Sequence, residues 1–490
     1  MVKNEELFVL IKSLTRSEKR YFKLEATKQK GSANYLLLFD AIEKQELYDE
    51  KAIKKLFADK AFIKQLHVTK NYLREQILSS LRSFHSRLSK DAELKELLRN
   101  TEILFHKELY QLCRVELVKA ERLAEKYELI TGATEIIGWK RKLRQALQPH
   151  DFPTFITLAK EQEKKIALLQ ESNAYWQNIV VNTWQMIGSQ YPRGKYKILP
   201  LPKDPNTLEN KVLASNISYI KEVVGRRQDK AQKQLYSLIA LLEEYPHRLK
   251  EDPSVYVSTI NNLASYLVFQ KKDKEVLVLL NKAKNVYSTL ELKTENKSLL
   301  KQILRTYNLE LELYRDNIGK SDYTIDFIVS TEKFIEANRN KVPKDYLLSL
   351  WFQLAHIRFL NHDFDNALKW LNSILNAKFG STRQDLQVQA RMLNLIVHFE
   401  QKNFFVLRYF VSSTKRFLKK VKFIEPFENE LFKFFAKLSN APEYEYEKLF
   451  KDIYVVLFPE KKDSMVPNET LDYIDYKKWM EGYIKKKKRI

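Results

Sequence analysis

The chain reads as all-α, an array (solenoid) of antiparallel helix pairs behind an N-terminal helical module. Three observations lead there. Apolar residues recur at three- and four-residue spacing along almost the whole length, the period of one helix face. Glycine is scarce, nine residues in 490, where average usage would supply roughly 34. Hairpin turns and phosphate-cradling loops both draw on glycine, so sheet-rich and nucleotide-binding folds are disfavoured together. The prolines fall between the periodic stretches, where they remove a backbone donor and end a helix. Strand-like alternation is rare; Ile453–Phe458 (IYVVLF) is its best candidate and fits a buried helix equally well.

With 44% hydrophobic and 30% charged residues, the chain can bury a sizeable core and is not compositionally disordered. A net charge of +23 points to an acidic partner: nucleic acid, an anionic membrane surface or an acidic protein. The plainer reading is a set of solvated lysine-rich helix faces. Charge interrupts the N-terminal MVKNEELFVLIKSL at once, unlike the long apolar run of a signal peptide. No run of 18 apolar residues occurs, so no transmembrane segment is expected. Cys113 stands alone and cannot form an intrachain disulfide. Together these fit a reducing, cytoplasmic location.

Residues 1–90 read as short helices followed by a long one. Thr15 and Glu18 have the spacing of a capping box. The segment Phe62–Leu81, FIKQLHVTKNYLREQILSSL, resembles a helix-turn-helix. Phe62, Leu66, Val68 and Leu73 match its apolar positions, with the turn at Leu66-His67-Val68. That resemblance implies that Lys70, Asn71 and Arg74 project toward phosphates and base edges. Ile63, His67 and Gln76 depart from the motif, which wants a small residue, a glycine and an apolar residue there. The alternative is a plain helical bundle capping the array, with Leu73, Ile77, Leu81 and Phe84 as its core stripe. The module carries 19 Lys and Arg against 11 Asp and Glu, which permits nucleic acid without demanding it.

Residues 91–191 read as helical hairpins. Leu104–Tyr127 is a helix pair with Ala120 and Ala124 on its second member, and further helices span Phe155–Leu169 and Tyr175–Ile187. Residues 192–206, with four prolines, form a Pro-rich linker or long loop.

Residues 207–440 carry the clearest repeat. In WFQLAHIRFLNHDFDNALKWLNSIL, Trp351, Leu354 and Ala355 share one helix face. Asn361-His362-Asp363 breaks the helix, and Ala367, Leu371 and Ile374 form the facing stripe of the next. Asp363 is placed to cap that second helix, and the two alanines let the pair approach closely. The pattern resembles a tetratricopeptide repeat. It recurs as Ile260, Leu263 and Ala264 followed by Val276, Leu280 and Ala283, and as Ala390, Leu393 and Asn394 followed by Val406, Phe410 and Ser413. Leu309 holds the corresponding place in a looser unit. The spacings of Leu263, Leu309, Leu354 and Leu393 exceed the standard period of 34, so the helices or loops are longer than in that family. Residues 441–490 read as C-terminal helices and a basic tail.

The resemblance implies a protein-interaction scaffold whose inner helices line a groove. Its groove positions fall on Asn261, Ser265, Phe352, His356, Phe359, Arg391, Leu395 and His398. A basic face is also expected at Lys415, Arg416, Lys419, Lys420 and Lys422, opposite Phe410, Phe417, Leu418 and Val421. This face and the five-base tail at Lys485–Arg489 fit nucleic acid or an acidic partner.

Signs of catalysis are few. GSQYPRGKY (Gly188–Tyr196) has five residues between its glycines and no Ser or Thr after Lys195, so it is not a P-loop. The eight histidines are scattered, and Asp363 and Asp365 are accounted for as helix-start acids. Cys113, in an apolar stretch, reads as core. No metal, cofactor or enzymatic activity is expected. The sequence thus points to a non-catalytic scaffold for a protein or peptide, with a nucleic-acid-binding regulator as the alternative.

Overall fold

The computed structural model describes residues 5–28, 33–186, 200–201, 204–289, 296–317, 325–342, 344–377, 379–380, 382–421, 426–459, 466 and 474–484. Among them every regular element is a helix, and no helix is long and apolar enough to cross a membrane. Gly188–Tyr196, most of the Pro-rich segment, Lys422 and the tail Lys485–Arg489 lie outside the described residues. The chain divides into two compact units, Met1–Ile217 and Ser218–Ile490.

The first unit opens with α1 (Glu6–Ser13), α2 (Arg16–Thr27), α3 (Ala33–Lys44), α4 (Glu50–Leu56) and α5 (Leu66–Phe84). Thr15 caps α2 by accepting from the Glu18 N–H while the Glu18 carboxylate accepts from the Thr15 N–H, satisfying two orphan donors at once. Leu73 and Ile77 are fully buried against Ile11, Phe22, Phe39 and Ile53, with Leu81 packed at the edge. Phe84 stands half exposed against Tyr21, ring centroids 5.2 Å apart.

The turn expected at Leu66-His67-Val68 is absent. A single 3-10 turn, Ala61–Gln65, leads directly into α5, and Leu66–Val68 form its first turn. Val68, expected to be apolar core, is exposed. Without a glycine at His67, nothing in this stretch forces the backbone out of the right-handed helix.

Next come α6 (Lys90–His106), α7 (Tyr110–Lys126), α8 (Ile130–Leu147) and α9 (Phe152–Met186). Cys113, Leu117, Ala120 and Ala124 form the buried stripe of α7. The Cys113 thiol lies 3.7 Å from the Thr101 carbonyl oxygen, and burial pushes its pKa up. At Gly132 a Cβ would meet Leu94 Cδ2 at 2.2 Å, so the bare backbone of α8 admits that side chain of α6. The two helices expected at Phe155–Leu169 and Tyr175–Ile187 are one, α9, as far as the described residues run. The intervening Gln170–Ala174 holds no proline or glycine to stop it.

The helix α10 (Leu208–Val224) carries the chain across the division. The second unit continues with α11 (Gln228–Glu243), the short α12 (Pro246–Glu251), α13 (Pro253–Phe269), α14 (Asp273–Thr289), α15 (Lys297–Asp316) and α16 (Ile325–Asn338). Then follow α17 (Lys344–Leu360), α18 (Phe364–Asn376), α19 (Gln384–Glu400), α20 (Phe404–Leu418), α21 (Pro426–Leu438), α22 (Tyr446–Leu457) and α23 (Tyr476–Ile484). Ile453–Phe458, the strand candidate, lies in α22 and at its end.

Broadly buried helices alternate with helices that bury only a narrow stripe. In α19 thirteen residues are buried, in α18 only Ala367, Trp370, Leu371 and Ile374. The first kind lies between neighbours on both sides and the second covers one flank, as in stacked helix pairs. Ala355 and Ala367 are wholly buried, as are Ile260, Leu263, Ala264, Val276, Leu280 and Ala283. The third pair departs from expectation. Leu407, Thr414 and Leu418 are the buried stripe of α20, not Val406, Phe410 and Ser413. Asn394 occupies the place of the packing alanine and is larger, so α20 meets α19 in another register.

Six inter-helix corners share one backbone form. Glu108, Glu128, Arg226, Lys271, His362 and Lys402 all have φ between 52° and 59°. At each, the next residue's N–H reaches back across the turn, as from Asp363 to the Arg358 carbonyl at 2.9 Å. This is a Schellman-type stop, a position usually given to glycine. Asp363 then accepts from the Asn366 N–H and caps α18.

Candidate functional site

The buried helices of the second unit are joined to their neighbours by polar rungs. Asn261 on α13 donates to the Gln302 carbonyl and accepts from Thr306 on α15, each at 2.9 Å. Arg305 donates to Asn262 Oδ1 at 2.9 Å. Ser349 on α17 donates to Asn308 Oδ1 at 2.9 Å, and Arg315 to Gln353 Oε1 at 3.3 Å. On α19, Gln389 donates to Glu428 of α21 at 2.9 Å. A buried amide that both gives and takes hydrogen bonds fixes the register of neighbouring helices.

Between α15 and α17 these rungs leave a cavity of about 500 Å³, within the range of ligand pockets. Ser298, Lys301, Gln302, Leu304, Arg305 and Asn308 line it from α15, and Tyr346, Ser349 and Leu350 from α17. Ser298, Lys301, Arg305 and Asn308 reach it together because three- and four-residue steps stay on one helix face.

Among the described residues the lining holds two cations and no carboxylate. Lys301 Nζ sits 4.6 Å from the centre of the Tyr346 ring, a cation–π contact. Arg305 is open to solvent, yet lost hydration pushes its guanidinium below the usual arginine range. Accessibility with crowding is what a concave wall produces. Burial pushes the nearby Tyr219 phenol above its usual range, so it stays neutral beside Arg305. The Gln302 amide oxygen is buried without a hydrogen-bond partner.

The residues expected to line a groove lie on α13, α17 and α19. Asn261 is a buried rung, and Ser265 donates to the Asn261 carbonyl at 2.8 Å. Phe352, His356 and Phe359 run together along α17 as rings 6.2 and 6.4 Å apart. His356 is buried with Nδ1 unpartnered; burial, with the charge of Arg315, lowers its pKa to about 3. Leu395 is fully buried. Arg391 lies 3.9 Å over the Phe417 ring and His398 stacks on Phe410 at 4.9 Å. Those two point at α20, inside the helix pair. The eight residues are thus spread over α13, α17 and α19.

Near the N-terminus, Lys70 donates to the Tyr48 hydroxyl at 2.9 Å and to Glu50 at 3.0 Å. Burial works against its charge, but these two bonds prevail and hold its pKa above the usual lysine value. Arg74 lies 3.3 Å from Glu75 and 3.9 Å from Glu6, while Asn71 is exposed, 3.4 Å from His67 Nδ1. Lys415, Arg416, Lys419 and Lys420 are all exposed on α20 or in the turn after it.

The cavity residues Lys301, Arg305 and Tyr346 escaped the sequence reading. A signal was present: Lys297, Lys301 and Arg305 recur every fourth residue in KSLLKQILRTYN, which contains no acid. Among the described residues, no group of three or more His, Cys, Asp and Glu side chains is placed to hold a metal ion. No protein-family model matches the chain, and no curated protein or solved structure matches it either.

Proposed function

We propose that this chain is a non-catalytic scaffold of tetratricopeptide-like helix pairs that binds an acidic segment of a protein or peptide between α15 and α17. The observation that supports it is the pair of cations, Lys301 and Arg305, in a cavity whose described lining includes no carboxylate. A carboxylate entering there would replace the neutral Asn262 as the strongest partner of Arg305 and gain a charge-assisted bond. The side-chain amides and hydroxyls of Gln302, Asn308 and Ser349 suit the alternating donors and acceptors of a peptide backbone. A nucleic-acid role for the N-terminal module draws less support, because Lys70 is already engaged by Tyr48 and Glu50.

The test is fluorescence anisotropy with labelled tetraglutamate and tetraglutamine at about 0.15 M salt. Tetraglutamate should bind the more tightly. Lys301→Ala/Arg305→Ala should weaken it at least tenfold, as loss of charge-assisted bonds worth about 1.5–3 kcal/mol each requires. Lys415→Ala/Lys419→Ala should change it little. Equal losses in the two double variants would leave only diffuse electrostatics and defeat the proposal.

A further inference from the structure

The outer face of α20 carries a second arrangement, independent of the cavity. Phe405 and Tyr409 stand on successive turns with 81% and 61% of their surface exposed. Arg408 lies between them in sequence and is exposed as well. Further along the same face come the exposed cations Lys415, Arg416 and Lys419. Among the described residues, none of these four cations has a carboxylate within ion-pair distance, whereas nearby Lys402 approaches Glu443 at 3.6 Å. From Phe405 to Lys419 the face runs about 21 Å at the rise of an α-helix.

We propose that this face binds single-stranded nucleic acid. Unpaired cations in a row attract a phosphodiester backbone, and the release of its counterions drives association. The exposed rings offer stacking platforms for unpaired bases, which no duplex presents because its bases already stack on one another. An acidic peptide uses the cations but leaves the rings uncovered. A membrane asks for a broad apolar face, and that of α20 is turned inward: Leu407 and Leu418 are buried, with Phe410 and Phe417 packed beside them. A strand lying along the helix covers rings and cations together.

The test uses the full chain and fluorescein-labelled dT20 and rU20, a dA20·dT20 duplex, and phosphatidylserine vesicles. Both single strands should bind more tightly than the duplex, with cosedimentation on vesicles no better than on neutral phosphatidylcholine; the stronger of dT20 and rU20 identifies DNA or RNA. Phe405→Ala/Tyr409→Ala should weaken single-strand binding about tenfold or more and leave the salt dependence intact. Lys415→Gln/Arg416→Gln/Lys419→Gln should reduce the slope of log K against log salt by about 2. Lys301→Ala/Arg305→Ala should leave strand binding unchanged, which separates this face from the cavity. The side chains replaced on α20 are exposed, so circular dichroism should show wild-type helix content. Wild-type affinity in the aromatic variant, preference for duplex or vesicles, sensitivity to the cavity variant, or no binding at about 0.15 M salt would each overturn the proposal.

Discussion

Glu332 is the single acceptor on which three buried donors of the second unit converge. Its carboxylate takes Arg358 Nε at 3.0 Å, Arg358 Nη2 at 2.6 Å and Trp370 Nε1 at 2.8 Å. Arg358 keeps one further partner, Asp363, through Nη1 at 3.0 Å. The side chains of Arg358 and Glu332 are 7% and 16% exposed, so water replaces little of what is lost. Glu332→Ala therefore leaves an indole N–H unpaired, at about 1–3 kcal/mol, and a guanidinium half-compensated. Breaking a buried pair costs about 3–5 kcal/mol when nothing remains opposite. Asp363 does remain, and the two losses share one site, so about 3 kcal/mol is expected in all. Urea unfolding followed by circular dichroism and tryptophan fluorescence measures it, with Arg358→Leu and the double variant completing a cycle. The double variant should cost less than the two singles combined, because it removes the stranded charge. A Glu332→Ala chain within about 0.5 kcal/mol of wild type, the range of an ordinary surface change, would show that α16 is not tied to α17 and α18 in this way.

Two further outcomes follow from burial. Ala367→Glu places a carboxylate where the wild-type side chain has no exposed surface; it should cost about 3 kcal/mol or more, and wild-type melting would contradict the close approach of α17 and α18. His356 stays neutral in the fold, its pKa lowered from 6.5 to about 3 by burial and by Arg315. Below about 6.5 the unfolded chain takes up a proton that the folded chain refuses, so stability falls as pH drops from there toward about 3. At pH 5 the loss attributable to this residue is about 2 kcal/mol, and His356→Phe should remove it; identical pH dependence in the two chains would refute that assignment.

The buried stripes Ile260, Leu263, Ala264, Val276, Leu280 and Ala283, and Trp351, Leu354, Ala355, Ala367, Leu371 and Ile374, are legible in the sequence because small residues among bulky ones at helical spacing mark where two helices approach closely. Elsewhere the pattern misled for identifiable reasons. Asn394 replaces an alanine, so the register of α20 was misread. No breaker separates Leu169 from Tyr175, so the two helices expected there run as one, α9. In this chain Asn261 serves as an inter-helix rung, while the opening lies in the repeat around Leu309 whose pattern was weakest. Arg358 shows the same limit. Here the chain buries a charge inside a helix pair, and only the position of Glu332 explains it.

The corners at Glu108, Glu128, Arg226, Lys271, His362 and Lys402 bear on how such a chain drifts. Each stops its helix through backbone geometry alone, with an exposed side chain. Four residue types already occupy the six sites. Any side chain that tolerates a left-handed backbone, at a strain of order 1–3 kcal/mol where glycine is absent, is acceptable there, and glycine, or to a lesser degree asparagine, relieves it. Helix termination is therefore nearly decoupled from residue identity. The architecture can persist while most letters at its corners change, Glu128 excepted because its carboxylate also accepts from the Leu208 N–H, and regularity visible in three dimensions leaves almost no trace in one.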